Sequence, residues 1–140
     1  MQRLLVPILG HVRNQDAIVD YLSSLPWHDQ IEVRILFVKK EIDVIGSDGG
    51  RVSITHEDVE IPNEGKELID RLRSAGIEVS GTVGTGEGIE PVLEAIEADE
   101  IDGLVIGDKR RSPVGKAIFG SDTLDILQQA DIPVTLLVAD

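Results

Sequence analysis

Arg3 to Ile8 is a nearly continuous aliphatic run, the pattern of a strand buried on both faces. Asn14 stands where it can cap a following helix, whose apolar positions Ile18, Tyr21, Leu22 and Leu25 recur at helical spacing, with Pro26 just past its end. A second strand is predicted from about Ile31 to Val38, rich in β-branched residues. Residues 39–61 have no strong period and contain Gly46, Gly49 and Gly50; a connection this long in a small domain is usually functional or mobile. Pro62 and Asn63 open a second helix with Leu68, Ile69 and Leu72 on one face, and Gly76 stops it. Ile77 to Val83 alternates as a strand, and the turn through Gly84, Gly86 and Gly88 leads into a helix with Ile89, Val92, Leu93 and Ile96 in register. Gly103 to Gly107 is another short buried strand, followed by a polar loop from Asp108 to Lys116. A fourth helix carries Leu124 and Leu127, and Pro133 to Val138 closes the chain as a fifth strand.

Strand and helix alternate from end to end, which specifies an α/β fold with a parallel sheet and helices on both faces. Residues 1–140 are expected to form one doubly wound domain of five mainly parallel strands. Right-handed crossovers leave two strand orders, 2-1-3-4-5 and 3-2-1-4-5, and in both a ligand binds at the carboxyl ends of strands beside the switch in direction.

Composition narrows the partners. The chain has 26 Asp and Glu against 13 Lys and Arg, a formal net charge of −13. That charge argues against a phosphate-backbone footprint, and 3% aromatic residues argue against stacked-base platforms, so nucleic acid is not expected as a partner. A hydrophobic content of 41% excludes a disordered acidic tail. The acids are spread along the whole chain, which favours a protein from a halophile, working in a salt-loaded cytoplasm, over the alternative of an acidic surface that binds a basic partner. With no cysteine there is no disulfide, no thiolate metal site and no thiol nucleophile, which fits a cytoplasmic location. No apolar run is long enough to span a bilayer, and the apolar start through Leu9 lacks a cleavage site, so it reads as a strand rather than a signal peptide.

Against this acidic background one segment stands out. Lys109, Arg110, Arg111 and Lys116 cluster after a predicted strand, with Ser112 among them, and Gly120, Ser121 and Thr123 follow at a helix start. Cations, small hydroxyls and free backbone N–H groups at a helix start are the ingredients of an anion site. Glycines at 107, 115 and 120 are expected to let backbone approach a phosphate closely. The alternative is a solvated basic loop with ordinary capping residues. Other motifs fail on spacing. The turn at Gly84 has Ile89 where a dinucleotide fingerprint needs glycine, and Arg110 and Ala117 break any Walker pattern around Gly115 and Lys116. His11, His28 and His56 are dispersed without metal-ligand spacing, so no metal site is expected. Ser53, Ser80 and Ser121 lack a nucleophile-elbow context, and the acidic run from Glu94 to Asp102 suits a solvated helix face.

The run Gly107-x2-Arg110-x9-Gly120-Ser121 resembles the nucleotide-binding motif of universal stress proteins, glycine-x2-glycine-x9-glycine followed by serine or threonine. Leu4 to Pro7 resembles that family's opening strand, Gly84 to Gly107 its turn, helix and aliphatic strand, and Ile132 to Val138 its closing strand. The resemblance implies the 3-2-1-4-5 sheet and a homodimer through the last strand, here Pro133, Val134, Leu136 and Val138. Pairing with a copy would satisfy an otherwise exposed apolar edge. It also implies a nucleotide site at Val38, Gly107, Gly120 and Ser121. Two positions depart from the family. Leu9 stands where an aspartate reads adenine, and Arg110 stands where the second glycine is expected. Leu9 can pack on a base but cannot accept its amino proton, whereas Arg110 could grip a phosphate with two parallel hydrogen bonds.

The expected function is thus a stress-response regulatory module, a homodimer binding ATP or a related anionic ligand, with any magnesium carried by the nucleotide. Lys109, Arg110, Arg111, Ser112 and Ser121 are the expected phosphate donors. The alternatives are a family member that binds no nucleotide and acts through protein contacts, with residues 39–61 as a recognition surface, and a slow nucleotide hydrolase. No general base, metal triad or nucleophile is visible for the last, so turnover is expected to be slow or absent.

Overall fold

The computed structural model describes residues 1–10, 12–39, 43–45, 51–53, 61–86, 88–108 and 120–138. The chain opens with strand β1 (Gln2–Leu9) and helix α1 (Gln15–Ser24), then a short 3-10 turn (His28–Gln30) and β2 (Ile31–Lys39). Two three-residue strands, β3 (Asp43–Ile45) and β4 (Arg51–Ser53), precede α2 (Asn63–Ser74) and β5 (Glu78–Thr85). Then come α3 (Glu90–Ala98), β6 (Gly103–Asp108), α4 (Ser121–Gln129) and β7 (Val134–Val138).

Five strands form one parallel sheet in the order β5-β2-β1-β6-β7. Counted along the chain, its strands lie 3-2-1-4-5, which decides between the two orders left open by periodicity. β3 and β4 pair antiparallel as a separate ribbon, with Val44 opposite Val52. They lie in the stretch where no strand was expected, because three residues are too few to display a period.

The sheet is sealed on both faces. Val6, Ile8 and Ile35 pack under Ile18 and Leu22 of α1 and Leu68 and Leu72 of α2. On the other face Leu5, Leu36 and Ile106 pack under Val92 of α3 and Ile126 of α4. Burial on both faces is why β1 and β6 read as unbroken aliphatic runs rather than alternating ones. The outer strand β7 is only half-buried throughout. α4 is set differently from its pattern. Thr123 and Ile126 point inward, while Leu124 and Leu127 are 45% and 39% exposed.

Local chemistry sets the boundaries. After α2, Gly76 takes φ +83°, its N–H donates to Arg73 and the N–H of Ile77 donates to Leu72, the paired bonds of a Schellman stop. Asn14 is correctly placed before α1 but does not cap it with its side chain. It adopts the left-handed region at φ 59°, which Asn tolerates, and its side-chain amide reaches Leu137 instead.

The amino ends of β1 and β6 are clamped. The N–H of Arg3 donates to the Asp102 carboxylate at 2.9 Å, and the N–H of Asp102 returns a bond to the Arg3 carbonyl at 2.8 Å. Beside them Arg34 bridges Glu32 and Asp99. Its hydrogen bond to Glu32, with one to Asp99, raises the guanidinium pKa above its ordinary value against the opposing effect of burial.

Candidate functional site

Connections from β1 run outward to β2 and β5 on one side, and β6 and β7 lie on the other, so the sheet changes direction between β1 and β6. All eight residues of β1 pair with β2, but pairing with β6 covers only Leu4 opposite Gly103 and Leu5 opposite Leu104. Past that point the two strands give each other no ladder, and a crevice opens at their carboxyl ends. This is where ligands lodge in doubly wound sheets.

A cavity of about 140 Å³ occupies the crevice. Pro7, Ile8, Leu9 and Ile106 supply an apolar wall from the two strand ends. Gly107 and Asp108 continue it at the end of β6, and Gly120, Ser121, Asp122 and Thr123 roof it from the start of α4. Arg13 closes one side.

Each wall has a local cause. Gly120 is the N-cap residue of α4 and has no side chain to cap with, so the first-turn N–H groups face the cavity with the positive end of the helix. Thr123 is buried and Ser121 exposed, giving hydroxyls at two depths. Asp122 joins Asp108 as a second carboxylate in the lining. Asp108 is 1% exposed, and it is held by an interaction within the protein. Arg13 is part-exposed, and its guanidinium has no ion-pair partner among the described residues. The cavity thus joins an apolar surface and two carboxylates to a helix start and an arginine. Among the described residues lining it there is no histidine, lysine or cysteine. Among the described residues, too, no cluster of three His, Cys, Asp or Glu could hold a metal ion.

Of the residues expected from sequence, Leu9, Gly107, Gly120 and Ser121 come together here. Val38 pairs with Leu9 and is buried beneath the same sheet face, but it is not among the described residues lining the cavity. Lys109, Arg110, Arg111 and Ser112 lie outside the described residues, as do Gly115 and Lys116. Gly107 also has a packing role: a Cβ there would lie 2.5 Å from the Arg13 carbonyl oxygen and 3.0 Å from Ile18, so the missing side chain admits the protein's own chain. Arg13 carries no signal in the linear sequence, since only the approach of its backbone to Gly107 of β6 brings it in. Asp108 did carry one: it is the charge that ends the aliphatic run of β6.

Pro133 is exposed, and Val134, Leu136 and Val138 lie half-buried on β7, the outer strand of the sheet. Among the described residues no helix is long and apolar enough to cross a membrane.

A profile of the Universal stress protein family matches residues 1–137. No curated protein is significantly similar in sequence. Among solved structures, a universal stress protein from Archaeoglobus fulgidus superposes with a TM-score of 0.68 at 20% identity, over 97% of this chain and 98% of that one. A universal stress protein from the same organism, solved in complex with dAMP, gives 0.64 at 15% identity over 97% of each chain. A universal stress protein family protein from Arabidopsis thaliana with AMP bound gives 0.64 at 11% identity, over 100% of this chain and 93% of that one. At these identities the likeness is one of fold.

Proposed function

Because this chain belongs to the universal stress protein family, we propose that it is a nucleotide-binding regulatory module whose ligand lodges in the crevice between β1 and β6. The observation that carries this reading is the cavity itself, which joins an apolar wall at Leu9 and Ile106 to the uncapped start of α4 at the switch in strand order. Relatives of the same fold that hold dAMP and AMP support it.

In this reading the base packs on Leu9 and Ile106, and the phosphates meet the first-turn N–H groups of α4, the Ser121 hydroxyl and Arg13. Lys109, Arg110, Arg111 and Ser112, which follow β6 directly in sequence, are the further phosphate donors in this reading. Magnesium, where present, arrives with the nucleotide. Residues 1–140 act as one domain, in the cytoplasm, as a homodimer built on Pro133, Val134, Leu136 and Val138. The half-buried outer strand and the exposed Leu124 and Leu127 of the helix next in sequence support such a pairing. The role read for the module is regulatory rather than catalytic turnover.

The test is to purify the protein in molar potassium salt, denature it, and identify released nucleotide by chromatography. Titration of ATP, AMP and pyrophosphate with magnesium by calorimetry then measures the site directly. Binding of ATP or AMP in the micromolar to millimolar range is expected. No released nucleotide and no heat from any of the three overturns the proposal in favour of a module that acts through protein contacts.

A further inference from the structure

We infer that the chain carries a second binding site, for a small methylated ammonium ion, at the opposite end of the sheet from the crevice. A cavity of about 100 Å³ lies there, at the amino ends of β1, β6 and β7. Leu4 and Val105 line it from the sheet face that α1 covers, and Tyr21 and Leu25 reach it from the end of that helix. Trp27 and Asp102 complete the wall.

These residues are out of character with the rest of the chain. It has one tryptophan, one tyrosine and two phenylalanines, and both the tryptophan and the tyrosine line this one cavity. Trp27 is 46% exposed, so its ring is not committed to the core. The face of an aromatic ring is partly negative and attracts a cation laid against it. Among the described residues lining the cavity, Asp102 is the one charged group, and its sign is the same. One of its oxygens accepts the N–H of Arg3, which leaves the carboxylate further lone pairs. The Arg3 guanidinium turns instead to Glu32 and to the Asp99 carbonyl. The last turn of α1 contains no basic residue, so nothing on that turn offsets the negative end of the helix beside the cavity.

The walls also narrow the kind of cation. A metal ion or a primary ammonium leaving water needs several oxygen partners, and a lining dominated by Leu4, Leu25, Val105 and two rings offers few. A methylated ammonium needs none. Its methyl groups pack on the leucines, and the charge spread over them is met by the ring faces and Asp102. The rest of such a molecule leads out past Trp27, which also borders a wider hollow with Gln2, Asp29 and Gln30.

Trp27 is the sole tryptophan, so intrinsic fluorescence reports this site directly. The full chain is titrated with choline chloride and, separately, with the neutral alcohol in which carbon replaces choline's nitrogen, at constant ionic strength in potassium chloride. Choline is expected to give a saturable change in emission and to bind about fivefold or more tightly than its neutral isostere. Tyr21→Leu keeps apolar volume and loses the ring; it is expected to weaken choline about fivefold and to leave the isostere within about twofold. Asp102→Asn, which keeps an acceptor for the Arg3 N–H, is expected to weaken choline by about two- to threefold. Equal binding of choline and its isostere would show a merely apolar pocket and overturns the inference, as does an unsaturable response to both. Ammonium chloride binding as tightly as choline would assign the site to a hydrogen-bonded cation and overturns it too. Should Tyr21→Leu fail to fold, the wild-type ratio of choline to isostere alone decides. The nucleotide reading stands or falls separately, by its own titration.

Discussion

The side-chain amide of Asn14 donates to the backbone carbonyl of Leu137 at 3.1 Å, joining residues 123 positions apart. Asn14 follows Arg13, which lines the cavity, and Leu137 belongs to β7, the outer strand. The segment after β1 is therefore tied across β6 to the sheet's edge, so the cavity's rim and the outer strand share a support.

Two substitutions separate what Asn14 does. Asn14→Ala loses the hydrogen bond and places a Cβ residue at φ 59°, and it is expected to lower stability by about 2–3 kcal/mol. Asn14→Gly loses the bond but suits that backbone, so it should fall between Ala and wild type. Urea unfolding measures both. An alanine variant as stable as the glycine one would contradict the role given to the backbone.

Gly107→Ala sets a methyl group against the Arg13 carbonyl and Ile18. It is expected to destabilise by about 1–3 kcal/mol and to weaken nucleotide binding, because relief requires Arg13 to move. Thermal unfolding and calorimetry together check this. Full stability with unchanged affinity would mean that the segment gives way without strain.

Arg13 is expected to act on charge. Arg13→Ala should weaken AMP about tenfold and leave adenosine almost unaffected, and Arg13→Lys should fall between. The salt dependence of AMP binding should also become shallower in the alanine variant. Equal losses for AMP and adenosine would show that Arg13 shapes the cavity rather than holding phosphate.

A lysine in an edge strand blocks pairing with a second copy. Leu136→Lys is expected to convert a dimer to a monomer in light scattering, and Leu127→Lys to weaken it. If the wild type scatters as a monomer across micromolar concentrations, the β7 interface is wrong.

A net charge of −13 makes the folded state self-repelling in dilute buffer. Screening lengths fall from about 30 Å at 0.01 M salt to about 3 Å at 1 M. The melting temperature should therefore rise with potassium chloride, most steeply at the low end. A melting temperature indifferent to salt would count against adaptation to a salt-loaded cytoplasm.

The elements of the main sheet were legible because burial on two faces forces continuous aliphatic runs, as at Arg3–Ile8 and Gly103–Gly107, and because α1 and α2 carry their periods plainly. Strand order was not in the periodicity, since both candidate orders need the same runs. It entered only with the resemblance carried by Gly107, Gly120 and Ser121. The orientation of α4 was hidden for a related reason. Leu124 and Leu127 share a helical face whichever way that face points, and only packing shows Ile126 turned inward. Within the site, motif spacing led to the start of α4 and the end of β6. It could not lead to Arg13, which joins them through a tertiary approach, nor to the close packing of Gly107 on the Arg13 backbone.

β1 and β6 are laced together at one end, by Leu4, Leu5 and the reciprocal bonds of Arg3 and Asp102, and parted at the other. Cohesion and opening thus sit at opposite ends of the same two strands. Side chains at the carboxyl ends can vary while residues 3–5 and 102–104 keep the halves of the sheet joined. The leucine at position 9 stands where such variation costs the sheet none of its pairing with β6.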